Sequence, residues 1–148
     1  MTLPVSQKRL KTEFEIRSLQ RCTVDLLGEL QTLRISDLTD CVVRVGAIAG
    51  SVMVNRCIGC TLHLAAHQIR IHESEGTSFF LLIKSKPIIE DCNALRFGEY
   101  TTMEYPNAQQ HLESAGLSPG ENRWWEVQDF NWLRPGPSPH YVLVKEEG

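Results

Sequence analysis

No run of about eighteen apolar residues, the least that carries a helix across a bilayer, occurs in this sequence, and no membrane partner is expected. Basic charge is not in excess either: fifteen Lys and Arg against eighteen Asp and Glu leave a formal charge of −3. That balance lacks the basic stripe of a general nucleic-acid binder, so no nucleic-acid partner is expected. Charges run throughout residues 2–20 and leave no apolar core for a secretory leader. Thr2 stands where N-myristoylation would need glycine. The five cysteines are an odd number, all between residues 22 and 92, and read as reduced thiols of a cytoplasmic protein.

What the sequence does hold is repetition. Cys22, Cys41 and Cys60 are nineteen residues apart, and one further step reaches Phe79. Val24, Val43, Leu62 and Leu81 form a second column at that step, and Leu26, Val45, Leu64 and Ile83 a third. Within each copy the columns lie two residues apart, the alternation of a half-buried strand. Leu33, Val52 and Ile71 continue the register into a second strand per copy. Gly28, Gly46, Gly50, Gly59 and Gly76 fall between the strands, where corners want permissive backbone. Tetratricopeptide and ankyrin repeats need more than thirty residues per copy, and the leucine-rich signature is missing. The expected fold is all-β: a short right-handed parallel β-helix of about 19 residues per coil, spanning residues 16–100.

The 148 residues suit one domain, able to bury roughly 70% of the unfolded surface without a metal or disulfide staple. A solenoid needs covered ends. Residues 5–18 are read as a lead-in helix or irregular cap, and residues 101–148 as a C-terminal cap. In that tail, Asn107 to Ala115 is helical in pattern, with Pro106 before it and Gly116 after it. Trp124, Trp125, Phe130 and Trp132 are expected to pack the tail onto the last coils.

Several constellations suggest chemistry. Cys57, Cys60, His63 and His67 have spacings that resemble a zinc site. Strand alternation points His63 away from Cys60, so the cysteines read as core and no metal or cofactor is expected. Gly46-Ala-Ile-Ala-Gly50-Ser51 lacks the lysine of a phosphate loop and reads as a corner. In Gln68-Ile-Arg70-Ile-His72, two inward isoleucines put Gln68, Arg70 and His72 on the outer face. A nineteen-residue step sets Arg70 beside the small Ser51, with Ala49 and Met53 flanking. Glu90 falls beside Ile71 at nineteen residues and beside Arg70 at twenty. The twenty-residue register would let the carboxylate hold the guanidinium by a charge-assisted bond.

Cys57-Ile-Gly-Cys60, Gln68-Ile-Arg70-Ile-His72, Ser85-Lys-Pro-Ile-Ile-Glu90-Asp-Cys92 and Phe97-Gly-Glu-Tyr100 together resemble the C-terminal domain of the tubulin-binding cofactor C family. The tail Asn122-Arg-Trp-Trp-Glu-Val-Gln-Asp129-Phe-Asn-Trp132 adds to the likeness, which covers residues 16–145 and no counterpart of the family's N-terminal helical domain. The resemblance implies a GTPase-activating protein, not a nucleotide-hydrolysing enzyme in its own right. Arg70 matches the family's catalytic arginine finger, Glu90 the acidic residue that orients it, and Gln68 a supporting residue; His67 replaces the family's frequent glutamine. The implied partners are αβ-tubulin with GTP on β-tubulin, acting with tubulin cofactors D and E, in a cytoskeleton-associated setting. An Arf-like small GTPase as target, or a non-catalytic tubulin-binding scaffold, are the alternatives.

Overall fold

The computed structural model describes residues 2–4, 13–101, 104–117 and 120–144. Alternating apolar residues build its strands in chain order: β1 Thr2–Pro4, β2 Glu13–Gln20, β3 Thr23–Leu30, β4 Thr32–Thr39, β5 Val42–Ile48, β6 Ser51–Asn55, β7 Thr61–Ala66, β8 Gln68–His72, β9 Ser78–Ile83, β10 Ile88–Glu90 and β11 Leu95–Glu99. Helix α1 (Ala108–Ser114), β12 (Gln128–Asp129) and β13 (Tyr141–Leu143) follow. Odd-numbered strands form one parallel sheet in the order β1-β3-β5-β7-β9-β11-β13, and even-numbered strands the other, β12-β10-β8-β6-β4-β2. The chain thus winds through both sheets in each coil, a β-solenoid of about five turns. Between the sheets lies one continuous core that includes Val24, Val43, Leu62, Phe79 and Phe97 from the odd sheet, and Ile35, Val54, Ile71 and Ile89 from the even one.

Coil length is not constant. Val24 pairs with Val43 and Val43 with Leu62 at nineteen residues, then Leu62 pairs with Phe79 at seventeen and Phe79 with Phe97 at eighteen. Phe79 therefore stacks in the valine–leucine column, with Phe97 at 5.4 Å between ring centroids, and Thr77 takes the place after Cys60. The second-strand column likewise runs Leu33–Val52–Ile69, while Ile71 stacks on Val54. A loss of two residues preserves the inward and outward faces, because side chains alternate with period two. Two ladders of left-handed residues record the same steps: Ser18, Asp37, Arg56, Glu73 and Asp91, and Arg21, Asp40, Gly59, Gly76 and Ala94. Only Gly59 and Gly76 among these are glycine. Among the others, Arg21, Asp40, Arg56 and Glu73 are held in a conformation their side chains disfavour by backbone N–H bonds to the Thr39, Ile58, His72 and Glu90 carbonyls of the following coil.

Gly28 and Gly46 lie inside strands instead of at corners. A Cβ on Gly46 would overlap the Tyr105 hydroxyl and stand 2.9 Å from the Gly28 carbonyl, so that glycine makes room for the residues before α1. α1 itself ends in the expected way: Gly116 is left-handed, its N–H bonds the Glu113 carbonyl, and the Leu117 N–H returns to Leu112.

The N-terminal stretch departs from the expected lead-in helix: Glu13–Gln20 is a strand, with Phe14 over Leu33 and Ile16 over Ile35. Residues 5–12 lie outside the described residues. The tail also does more than cap, since β12 and β13 add a strand to each sheet beyond residue 100. Of the four tail aromatics, Trp124 packs against the core, whereas Trp125 and Phe130 are 53% and 41% exposed and Trp132 lies against His140. Polar bonds hold the tail instead. Asn122 accepts from the Ile83 N–H and donates to the Leu81 carbonyl. Asp129 accepts from the Ser138 hydroxyl at 2.6 Å, from His140 Nδ1 at 2.5 Å and from the Asn131 N–H at 2.9 Å.

Two predictions follow from these contacts. Gly46→Ala lowers stability by about 1–3 kcal/mol through overpacking, measured by denaturant unfolding, and Tyr105→Phe restores part of the loss by removing the overlapping hydroxyl. Burial pushes the Asp129 carboxyl up, but the bonds from Ser138, His140 and Asn131 outweigh it and hold the group below the usual carboxylate range. Its stabilisation is therefore fully present above about pH 4, the unfolded value, and is lost as pH falls through the lower folded one. Asp129→Ala costs about 2–3 kcal/mol at pH 7 and flattens the dependence of melting temperature on pH between 2 and 5.

Candidate functional site

The two sheets are not equally covered. Ala47 and Ala65 on the outer face of the odd sheet are small enough for α1 to approach, and Leu112, Ala115, Leu117 and Tyr100 bury them. The outer face of the even sheet carries no such layer among the described residues. Its rungs align outward residues in rows. One row runs Glu15, Arg34, Met53, Arg70, Ile88 and Gln128.

Arg70 sits at the centre of β8 and is exposed, with Ile69 and Ile71 at 1% and 0% exposure beneath it. Alternation over an isoleucine pair turns Gln68, Arg70 and His72 outward, as expected from the sequence. The lateral neighbours differ from that expectation: the seventeen-residue coil pairs Arg70 with Met53, and Ser51 with Gln68. The lost residues come from the corner between β7 and β8, which is the single residue His67. That corner is tied on three sides. The His67 N–H donates to the Gly50 carbonyl at 3.0 Å, its Nε2 lies 2.7 Å from the Ala115 carbonyl, and its own carbonyl accepts from the Ser85 hydroxyl at 2.8 Å.

Glu90 falls in neither of the two registers open to it. The step from β8 to β10 is eighteen residues, so Glu90 pairs with His72 and Ile88 with Arg70. The Glu90 carboxylate is 3.3 Å from His72 Nδ1, and among the described residues no carboxylate bonds Arg70. The structure thus brings Gln68 and Arg70 together and leaves Glu90 one diagonal step away, roughly 8 Å along and across the sheet. Relative to the preceding coil, the chain spends one more residue, in the 84–87 corner between β9 and β10.

Arg70 borders a depression of about 310 Å³ lined by Gln68, Ile69, Arg70, Ser85, Lys86, Ile88, Arg123 and Gln128. None of these is acidic. Other arginines are neutralised in place, Arg44 on Asp25, Arg56 on Asp37 and, within the same depression, Arg123 on Glu126, each through two nitrogen–oxygen bonds. Lys86 and Arg123 entered no sequence-based site. The signal for Lys86 was the alternation Lys86-Pro-Ile-Ile-Glu90, which faces residues 86, 88 and 90 outward over the buried Pro87 and Ile89, whereas Arg123 is brought in by the tail and had none.

The remaining constellations resolve as structure. Cys57 and Cys60 are buried at 0% and 2% exposure, while His63 lies on the opposite face, stacked on Phe80 at 4.9 Å. Burial, with Arg44 nearby, holds the His63 imidazole below its ordinary pKa. Gly50 is a corner between β5 and β6, as its sequence context suggests. Ser138 and His140 both bond Asp129, and the bond between them runs from the His140 backbone N–H to the Ser138 hydroxyl at 3.0 Å, so the imidazole is not set as a base on that hydroxyl.

Known proteins share this architecture. A family model for tubulin binding cofactor C matches residues 11–130. Tubulin-folding cofactor C of Arabidopsis thaliana is 40% identical over 135 residues, 91% of this chain and 39% of the plant protein. Tubulin-specific chaperone C of Homo sapiens is 38% identical over 133 residues, 89% of this chain and 38% of the human protein. The solved structure of Tubulin Binding Cofactor C from Leishmania major superposes with a TM-score of 0.72 at 26% identity, covering 85% of this chain and 86% of that one. The chain spans about two fifths of the length of the curated relatives it matches. With both its coils and its arginine-bearing strand inside the matched region, this chain belongs to the tubulin binding cofactor C family.

Proposed function

We propose that this chain is a GTPase-activating factor in tubulin folding, and that Arg70 is its arginine finger. The relatives' descriptions as tubulin-folding cofactor and tubulin-specific chaperone support the setting. The observation that carries the mechanism is an exposed arginine on a rigid central strand, with no carboxylate bonded to it among the described residues. In phosphoryl transfer, negative charge spreads over the phosphoryl oxygens, and an arginine supplied in trans meets it there, typically worth about 10³ to 10⁵ in rate. A planar guanidinium bridges two oxygens at once, which an ammonium does not. Packed coils on both sides of β8 restrict the backbone before the partner arrives, so little ordering entropy remains to be lost on docking.

In this reading the partner is αβ-tubulin carrying GTP on β-tubulin, and cofactors D and E take part in the same reaction. Gln68, two residues along the same face, supports the finger. Glu90 orients it from the diagonal position, exchanging its bond to His72 for one to the guanidinium when the partner docks. The five cysteines are free thiols, in keeping with a reducing cytoplasm where tubulin is found. No helix among the described residues is long and apolar enough to cross a membrane.

Single-turnover hydrolysis of GTP by tubulin in the presence of cofactors D and E is the test. Arg70→Ala abolishes the stimulation contributed by this chain, and Arg70→Lys does not restore it. Thermal stability of both variants stays within about 0.5 kcal/mol of the parent, since the side chain faces solvent. Stimulation that survives Arg70→Ala overturns the finger, and a parent chain that binds tubulin without stimulating hydrolysis leaves a binding scaffold.

A further inference from the structure

The depression beside Arg70 carries more positive charge than one finger needs. Lys86 and Arg70 both line it, no acidic residue does, and Arg123 lines it too while clamped on Glu126. The formal charge of the whole chain is −3, so a local excess of cations is not inherited from composition. Lys86 is also placed deliberately. Pro87 and Ile89 are buried, which turns residues 86 and 88 outward, and Ile88 is paired with Arg70. Lys86 therefore stands next to Gln68, diagonal to Arg70 on the side opposite Glu90. Its corner is pinned by the Ser85 hydroxyl on the His67 carbonyl and by the Gln128 N–H on the Pro87 carbonyl at 2.8 Å. The neighbouring Lys84 is engaged, its ammonium 3.1 Å from the Glu121 carbonyl. Lys86 makes no hydrogen bond or ion pair among the described residues, although its charge helps the Arg123 guanidinium hold the Glu126 carboxyl below its ordinary range.

Two cations held by fixed backbone around one small depression repel each other. An anion spanning both relieves that repulsion, so the arrangement selects for negative charge spread over several oxygens. We propose that Lys86 is a second phosphate-contacting residue: the depression receives the phosphates of a nucleotide held by the partner, with Arg70 on one wall and Lys86 on the other. This inference rests on the GTPase-activating reading for its ligand, though not for its chemistry. Lys86 acts as a point charge toward the phosphate chain while Arg70 makes the planar, two-oxygen contact. The acid Glu90 on the opposite diagonal then marks the edge of the anion's footprint.

Two measurements test it. In the single-turnover assay, Lys86→Gln lowers the stimulated rate at saturating chain by about tenfold, the loss of one charge-assisted contact, and Lys86→Arg recovers most of it. Separately, inorganic tripolyphosphate is titrated into the chain alone at low salt and followed by amide chemical shifts. Shifts clustered at residues 68–72 and 84–88, diminished in Lys86→Gln and abolished by high salt, are expected. If Arg70→Ala abolishes stimulation while Lys86→Gln changes neither stimulation nor the tripolyphosphate shifts, the inference is overturned and the finger stands. If the chain fails to stimulate hydrolysis but binds tripolyphosphate through Lys86, the anion site stands and the GTPase reading fails. Unaltered melting of Lys86→Gln excludes misfolding as the source of either loss.

Discussion

Every feature of this molecule hangs on the in-register stacking of parallel coils. Each strand takes its backbone hydrogen bonds from the strand one coil earlier and gives its own to the next. A residue's lateral neighbours are therefore set by how many residues the chain spends on each turn around the core. Side chains buried between the sheets, such as Leu62, Phe79 and Phe97, fix that count, because a slip of one residue would send a whole apolar column into water. Changes of coil length fall at corners, where no column is broken.

The corner before β8 has particular consequences. Shortening it to His67 moves Arg70 from the vicinity of Ser51 to a place between Met53 and Ile88. Both of these are apolar in their exposed parts and offer the guanidinium no hydrogen-bond acceptor. The longer 84–87 corner then sets Glu90 on His72 and not on Arg70. A cation is thereby kept on a stiff strand without a neutralising partner, in contrast with Arg44 and Arg56, each spanning one coil to an aspartate nineteen residues earlier. The difference between a structural ion pair and an unneutralised arginine here is one of register.

The asymmetry of the two sheets completes the picture. Small residues on the odd sheet admit α1, whose C-terminal end reaches back to His67 through the Ala115 carbonyl. The helix therefore buttresses the Arg70 strand from the far side while leaving its outer face open. The tail performs a similar service at the other end, where Gln128 extends the row of Arg70 and Asp129 gathers the 138–140 segment. Trp125 and Phe130 stay exposed because polar bonds of Asn122 and Asn131, more than aromatic packing, secure the segment.

Periodicity alone determined that the chain is a parallel solenoid, that its first two coils have nineteen residues, and that Arg70 faces outward, because alternation over buried isoleucines is a local property of five residues. It also carried the helix near residue 110, whose Pro and Gly limits are local signals. Phe14 and Ile16 held the same alternation, and the N-terminal strand was legible there too, though the polar residues around it resembled a cap. The lengths of the third and fourth coils, the pairing of Glu90 with His72 and the depression shared by Arg70 and Lys86 were decided only in the tertiary structure. Their cause lies in corners, where hydrogen-bond partners come from another coil and leave no repeat in the text.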